Sequence, residues 1–265
     1  MSRALIDSEQ LMTSRHAVRL FDVRWRLGQP DYGKKAHARA HIPGAVFVDL
    51  DQDLSAPPDG ARHPLPEPSV FARTLGRLGL TPEKSVVAYD DTSGTVAARM
   101  WWMLQAIGHT DVRILDGGIQ AWEAAGGVVE ADPVAPEPAH YPEPAKFSGS
   151  VGIDGLAGRN VLDVRGHDRY TGAVEPVDPR AGHIPGAVNI PATESLGDGR
   201  FLPPDQIARI YSGIEEPAVS CGSGVVACHT AAAFAIAGLP IPEVYVGSFS
   251  EWSNSDRPVH TGEAP

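Results

Sequence analysis

The sequence predicts an α/β protein that consists of two homologous domains in tandem, each a parallel β-sheet flanked by helices. Two observations predict this class: several motifs occur twice in the same order, and short β-branched runs alternate with helical segments in both halves. Strands that alternate with helices pair in parallel through right-handed crossovers, which gives a layered domain. We place the N-terminal domain at residues 1–130, a linker at residues 131–147 and the C-terminal domain at residues 148–265.

The internal repeat is the basis for the two domains. The tripeptide Asp-Val-Arg at residues 22–24 returns at residues 163–165, and His-Ile-Pro-Gly-Ala-Val at residues 41–46 returns at residues 183–188. A later strand and loop and a tryptophan segment also recur in the same order, which indicates duplication of a whole domain. The stretch between the halves contains five prolines and is therefore predicted to be an extended, semi-rigid linker.

The strand and helix patterns place the functional edge of each domain. In the first half we expect strands at residues 86–89 and 112–115 around a helix at 96–107, and in the second half strands at 218–220 and 243–246 around a helix at 225–237. In open parallel sheets the ligand crevice lies beyond the carboxyl ends of the strands. We therefore expect the ligand-binding residues of the two domains in the loops at residues 90–95 and 221–226.

Composition excludes several classes of protein. The formal net charge of −11 argues against nucleic acid as a partner, because a phosphate backbone requires a basic surface. No run of about 18 apolar residues is present to span a membrane, and acidic residues near the start interrupt any signal-like run, so we expect a cytoplasmic protein. Two cysteines are too few for a disulfide scaffold, and both are expected to be thiols.

Cys221 is the candidate nucleophile. It ends a predicted strand, Gly222 and Gly224 allow the following amides to turn inward as an anion-binding nest, and the helix from Val225 adds the positive end of its dipole. Such surroundings favour a nucleophilic thiolate. The alternative is a buried small residue beside an ordinary turn. A cysteine phosphatase is disfavoured because residues 222–237 contain no arginine to hold a phosphoryl group.

With these motifs in place, the chain resembles the two-domain rhodanese and 3-mercaptopyruvate sulfurtransferases over residues 5–260. The resemblance implies tandem rhodanese-like domains, a non-catalytic N-terminal domain with Asp90 in place of the cysteine, and a persulfide on Cys221. The loop Cys-Gly-Ser-Gly-Val is similar to that of mercaptopyruvate enzymes, so Ser223 is implied to assist proton transfer. Gly222, Gly224, Val225 and Val226 complete the donor site, although Val226 replaces the commoner threonine.

The same resemblance implies where the donor's negative charge is bound. Arg169 matches the substrate-binding arginine of the family, and Arg180 is a second candidate for this role. His41 is implied to form a proton relay with Ser223, with Asp31 as its acidic partner. The alternative for His41 is a structural role, since both domains keep this histidine and only one keeps the cysteine.

The predicted function is therefore sulfur transfer from 3-mercaptopyruvate through Cys221 to a thiol, such as thioredoxin or glutathione, or to cyanide. Two alternatives stay open: a thiosulfate-preferring enzyme with the same persulfide, and a non-catalytic regulatory module. No metal and no organic cofactor is expected, because the histidines and cysteines lack the spacing of metal ligands and no nucleotide-binding glycine motif occurs. The acceptor, the pathway and the oligomeric state stay open.

Overall fold

The structure, a computed structural model, describes residues 4–265 as two compact units. The N-terminal unit contains residues 4–55, 66–148 and 198–201, and the C-terminal unit contains residues 56–65, 149–197 and 202–265. The ten residues 56–65 are thus early in the sequence and yet part of the C-terminal unit.

Five parallel strands form the sheet of the N-terminal unit. They are β1 (Leu5–Ile6), β2 (Arg19–Asp22), β3 (Val46–Phe47), β4 (Val86–Tyr89) and β5 (Val112–Leu115). Their order is β1-β5-β4-β2-β3, and every neighbouring pair is parallel. The central strand β4 is buried at all four positions, as expected for a sheet covered by helices on both faces.

Six helices connect the strands of the N-terminal unit. They are α1 (Ser8–Ser14), α2 (Tyr32–Arg39), α3 (Leu50–Asp53), α4 (Pro68–Arg77), α5 (Ala97–Ala106) and α6 (Gly118–Ala124), with a short 3₁₀ helix at Arg15–Ala17. Local sequence explains several boundaries. Asp7 caps α1 by accepting the N–H of Gln10 at 2.8 Å, and Pro68 begins α4, where its missing N–H costs nothing.

The C-terminal unit repeats this architecture. Its main strands are β6 (Ser150–Val151), β7 (Val161–Asp163), β8 (Ala187–Asn189), β11 (Ala218–Ser220) and β12 (Glu243–Tyr245), and two short strands, β9 and β10, lie at Leu196–Gly197 and Arg200–Phe201. The five-stranded sheet has the order β6-β12-β11-β7-β8, again entirely parallel. The two sheets have the same strand order, which confirms the predicted fold class.

The helices of the second half follow the same pattern. They are α7 (His167–Thr171), α8 (Pro204–Ile210), α9 (Val225–Ile236) and α10 (Ser248–Asn254), with 3₁₀ helices at Ile153–Leu156 and Ala192–Ser195. Helix α9 has apolar or small residues around almost its whole circumference and is buried along nearly its full length. Within residues 4–265, no helix is long and apolar enough to cross a membrane.

The repeated motifs bind to each other in the N-terminal unit. At the end of β2, the guanidinium of Arg24 donates from Nε to Asp22 Oδ1 at 2.9 Å and from Nη2 to the carbonyl of Ala40 at 2.6 Å. Ala40 directly precedes His41, the first residue of the second motif. Asp-Val-Arg therefore ties the strand end to the turn formed by His-Ile-Pro-Gly.

The C-terminal unit has the same arrangement. Arg165 donates from Nε to Asp163 Oδ1 at 3.0 Å and from Nη2 to the carbonyl of Gly182 at 2.7 Å, directly before His183. The His183 ring donates from Nδ1 to the carbonyl of Tyr170 at 2.9 Å and stacks on its ring. The Asp-Val-Arg and His-Ile-Pro-Gly motifs therefore have the same structural role in both units. They pair buried charges with each other and supply hydrogen bonds to buried carbonyls.

Candidate active site

Cys221 lies directly after the central strand β11, at the carboxyl edge of the C-terminal sheet. Its backbone is fixed on both sides. The Cys221 N–H donates to Ser248 Oγ at 3.1 Å, and the Cys221 carbonyl accepts the N–H of Phe249 at 2.9 Å. The start of α10 therefore holds the cysteine in place.

The amides of the following loop point at the sulfur. Cys221 Sγ accepts the N–H of Gly224 at 3.1 Å and that of Ser223 at 3.4 Å, and the hydroxyl of Ser248 lies 3.8 Å away. The residue is only 1% exposed. Two backbone N–H groups are thus aimed at the sulfur, where they can donate hydrogen bonds to negative charge that develops on it.

The glycine at position 224 is required by this loop. Gly224 has a φ of +77°, and a Cβ at this position would lie 2.2 Å from the carbonyl oxygen of Val246. Only glycine satisfies both conditions without moving the backbone. Val225 then begins α9 and is buried, whereas the predicted loop residues Ser223 and Val226 are partly exposed.

Arg169, the predicted substrate-binding arginine, lies beside the cysteine loop. A Cβ built on Gly222, the residue after the cysteine, would lie 3.2 Å from Arg169 Nη1. The rest of the guanidinium is bound to carboxylates: Nη2 donates to Glu175 Oε1 at 2.7 Å and to Asp178 Oδ2 at 2.9 Å. Two carboxylates therefore orient Arg169 with one nitrogen toward the loop.

The two carboxylates beside Arg169 have pKa values shifted in opposite directions. For Glu175, burial raises the pKa, but hydrogen bonds from Arg169 and from two backbone amides outweigh it, and the pKa is lowered. For Asp178, burial and the neighbouring Glu175 carboxylate raise the pKa, and together they outweigh the lowering by Arg62 and Arg169. Glu175 is thus the more strongly ionised partner of Arg169.

Arg62 is a residue of this site that the sequence prediction missed. It lies in the segment 56–65, and its guanidinium forms an ion pair with Asp178 while its N–H donates to Ser250 Oγ at 3.1 Å. A Cβ built on Gly222 would lie 2.8 Å from Arg62 Nη2. No local sequence signal identifies Arg62, since it is far from every loop motif along the chain.

Arg180 has a different environment from the one predicted. Its guanidinium donates to four backbone carbonyls at the end of α10, at distances of 2.6–2.8 Å. These carbonyls belong to Trp252, Ser253, Ser255 and Arg257. Arg180 thus donates to carbonyls at the C-terminal end of α10 and just beyond it, and its role in substrate binding stays a prediction.

The predicted relay residues lie in the N-terminal unit. His41 is buried, donates from Nδ1 to the carbonyl of His37 at 2.8 Å, stacks on the His37 ring and approaches Glu130 with Nε2 at 3.6 Å. Asp31 is exposed and pairs with Lys35 on the same helix turn. His41 and Asp31 therefore have separate partners, and the structural role that the sequence left open for His41 is the one its contacts support.

The structure also bears on metals and on the second cysteine. Within residues 4–265, no group of three or more histidine, cysteine, aspartate or glutamate side chains is arranged to hold a metal ion. Cys228 is buried one turn into α9, where its thiol donates to the carbonyl of Gly224 at 3.2 Å. Cys228 therefore helps to hold the loop that follows Cys221.

Comparison with known proteins gives matches over nearly the whole chain. The family profile described as "Rhodanese-like domain" matches residues 7–125 and again residues 152–255. A protein of Pseudomonas aeruginosa named "Probable 3-mercaptopyruvate sulfurtransferase" is 42% identical over 97% of this chain and 100% of its own length. A protein of Mycobacterium tuberculosis named for thiosulfate sulfurtransferase activity, SseB, is 41% identical over 93% of this chain and 92% of its own.

A solved structure agrees with these matches. The 3-mercaptopyruvate sulfurtransferase from Leishmania major superposes with a TM-score of 0.88 at 33% identity, and covers 96% of this chain and 75% of its own. The repeated profile match falls once on each half of the sequence, as the internal repeat predicts.

Proposed function

The chain belongs to the rhodanese family and is a sulfurtransferase, and we propose that it takes sulfur from 3-mercaptopyruvate and carries it as a persulfide on Cys221. The observation that carries the proposal is the pair of amide N–H groups directed at Cys221 Sγ, at 3.1 and 3.4 Å. They provide preorganised donors for an anionic sulfur. We propose that the N-terminal unit takes no part in the chemistry.

In the first half-reaction, the Cys221 thiolate attacks the sulfur of 3-mercaptopyruvate. The new S–S bond forms as the C–S bond breaks, and the electron pair of that bond leaves on carbon as the enolate of pyruvate. The proton of the donor thiol passes to this carbon, with Ser223 as the assisting hydroxyl. The products are pyruvate and a Cys221 persulfide anion, so atoms and charge balance.

In the second half-reaction, an acceptor attacks the outer sulfur of the persulfide. Cyanide gives thiocyanate, and a thiol such as thioredoxin or glutathione gives a new persulfide, and either step returns the Cys221 thiolate. The two steps balance without a metal or an organic cofactor. Loop amides stabilise the negative charge in the resting and the loaded form alike.

Thiosulfate is the competing donor, since the 41% identical SseB protein is named for it. Two features favour 3-mercaptopyruvate. The loop contributes Ser223 and no charged residue after the cysteine, and the cations near the loop are already paired with Glu175 and Asp178. A monoanionic carboxylate adds less charge to this compensated cluster than a dianion does.

The test is a comparison of both donors on one enzyme preparation. Turnover with cyanide as acceptor is measured for 3-mercaptopyruvate and for thiosulfate, and the loading of Cys221 is followed by intact mass spectrometry. We expect the higher kcat/KM with 3-mercaptopyruvate. A higher kcat/KM with thiosulfate would overturn the donor assignment, and a cysteine that stays unloaded with both donors would overturn the persulfide.

A further inference from the structure

We infer that the N-terminal unit contains a second ligand site, at the place where the C-terminal unit has its cysteine, and that this site binds a small neutral α-amino acid. Its basis is a cavity of about 350 Å³ beside the loop that follows Asp90. This volume lies toward the lower end of the range for small-molecule sites, which favours a small ligand. Because the cavity belongs to the N-terminal unit, the inference goes beyond the sulfur transfer proposed for Cys221.

Three segments of the N-terminal unit surround the cavity. They are the loop after Asp90, the start of α6, and residues 198–201, which we call the strap and which cluster with this unit. The backbone N–H of Phe201 donates to Asp116 Oδ1 at 3.0 Å, so the strap is anchored beside the end of β5. On the opposite wall, Gln120 Nε2 donates to the carbonyl of Asp91 at 3.0 Å and ties α6 to the loop. The walls are therefore fixed by hydrogen bonds.

Asp91 contributes a buried carboxylate to the cavity. Its side chain is 8% exposed, and Oδ2 accepts the hydroxyl of Tyr32 and lies 3.5 Å from Arg26 Nη2. The other oxygen, Oδ1, is buried and lacks a hydrogen-bond partner among the described residues. A buried carboxylate oxygen without a donor costs free energy. An ammonium group of a bound ligand can supply the missing donor.

Arg200 contributes the opposite charge from the strap. Its side chain is 44% exposed, and Nη1 lies 3.4 Å from the carbonyl oxygen of Asp116 and 3.9 Å from Oδ2 of the same residue. Within residues 4–265, Nε and Nη2 of Arg200 have no hydrogen-bond partner. These two nitrogens form one edge of the guanidinium, and such an edge binds a carboxylate through two parallel hydrogen bonds.

The combination of charges selects the class of ligand. Asp91 and the exposed Asp198 line the cavity together with Arg200. A simple carboxylate would face two carboxylates of the protein, and a simple amine would leave the guanidinium without an anion. A zwitterion satisfies both signs at once. Ser93 and Gln120 also line the cavity and add neutral polar groups, which favours a neutral side chain on the ligand.

The internal repeat explains why this site differs from the cysteine loop. Asp90 follows the central strand of its sheet as Cys221 does, so Asp91 occupies the position of Gly222. Gly222 faces two guanidiniums, a surrounding that suits an anion, whereas Asp91 places a carboxylate at the equivalent position. The N-terminal site has therefore gained a group that binds a cation, while Asp90 replaces the nucleophile.

The test is isothermal titration calorimetry of the whole protein with L-alanine and with L-serine. Propionate lacks the ammonium group and L-alaninamide lacks the carboxylate, so these two compounds measure the contribution of each charge. The variants are Arg200→Gln, at an exposed position, and Asp91→Asn. Arg209→Gln is the matched control, because Arg209 is an exposed arginine that pairs with Asp205 within α8.

We expect both amino acids to bind the wild type at one site. Arg200→Gln and Asp91→Asn should each weaken this binding by about 10-fold or more, since each removes one charge from the contact. Propionate and L-alaninamide should bind more weakly by a similar factor, and Arg209→Gln should bind as the wild type does.

Three results would overturn the site: no saturable binding of either amino acid, binding of propionate as tight as that of L-alanine, or wild-type affinity in Arg200→Gln. Cys221→Ser should bind L-alanine with wild-type affinity, because Cys221 lies in the other unit. The titration needs no sulfur transfer, so it tests this site separately from the proposed function.

Discussion

Asp90 and Cys221 occupy equivalent positions in the two units. Each directly follows the central strand of its sheet, and the carbonyl of each accepts an N–H from the helix that follows the next strand, from Ile119 at 3.0 Å and from Phe249 at 2.9 Å. Each side chain also accepts hydrogen bonds from backbone N–H groups of the loop that follows it. The carboxylate of Asp90 accepts four amide N–H groups of its loop, whereas the sulfur of Cys221 accepts two.

Asp90→Ala should destabilise the protein without direct loss of chemistry. Asp90 is fully buried and accepts four amide N–H groups, at 2.7–2.9 Å. Removal leaves these donors without an acceptor, which we expect to cost about 3 kcal/mol. Urea unfolding measures the loss, with the exposed Asp132→Ala as control. Equal stability of the two variants would contradict the proposed role of the carboxylate.

Gly222→Ala should weaken donor binding while the fold survives. The new Cβ would meet the flexible ends of Arg62 and Arg169, which can move away, so the cost in stability is small. Displaced guanidiniums bind a carboxylate less well, so we expect KM for 3-mercaptopyruvate to rise about 10-fold or more. Gly166→Ala is the control, because a Cβ there meets nothing within 4 Å. An unchanged KM for Gly222→Ala would refute the proximity of donor and guanidiniums.

Arg180→Ala should lower stability and leave the KM for 3-mercaptopyruvate unchanged. The guanidinium satisfies four backbone carbonyls at the end of α10, and their loss should cost about 2–3 kcal/mol. Thermal unfolding and steady-state kinetics on the folded fraction separate the two effects. A large rise in KM with normal stability would instead support the substrate-binding role that the sequence suggests.

Glu175→Gln should show a pH-dependent effect on stability. The pKa of Glu175 is lowered from 4.5 in the folded protein. Its negative charge therefore stabilises the fold above pH 4.5, and this stabilisation is lost as the pH falls through the folded pKa. The variant should be less stable by about 2 kcal/mol at neutral pH, and this difference should shrink as the pH falls below 4.5 and through the folded pKa. Asp205→Asn, at an exposed ion pair, is the control. A difference that stays constant over this range would contradict the assigned shift.

The fold and the cysteine loop could be predicted from sequence because their causes are local. The strands at Val86–Tyr89 and Ala218–Ser220 have the predicted bounds, and α9 ends within one residue of its predicted end. Because the same motifs occur in both halves, each strand and helix of one half supports the assignment of its counterpart in the other. Gly224 could be assigned to the loop for the same reason, since a glycine next to a helix start has a local explanation.

The cation site could not be predicted, because its causes are not local. Arg62 reaches the loop only through the packing of its segment on α10, and Asp178 is a bridge only because two arginines converge on it. Arg180 shows the same limit of sequence reasoning. It precedes the second His-Ile-Pro-Gly-Ala motif and is a candidate for donor binding on that ground, whereas in the structure its guanidinium donates to carbonyls at the end of α10. Position in the sequence does not give the direction of a side chain.

The central claim, that Cys221 carries the sulfur, is tested most directly by intact mass spectrometry after incubation with 3-mercaptopyruvate. Cys228→Ser is the matched control, because it replaces the other buried thiol. We expect the wild type and Cys228→Ser to gain the mass of one sulfur atom, released again by cyanide, and Cys221→Ser to gain none. Sulfur loading or turnover retained in a folded Cys221→Ser variant would contradict the account.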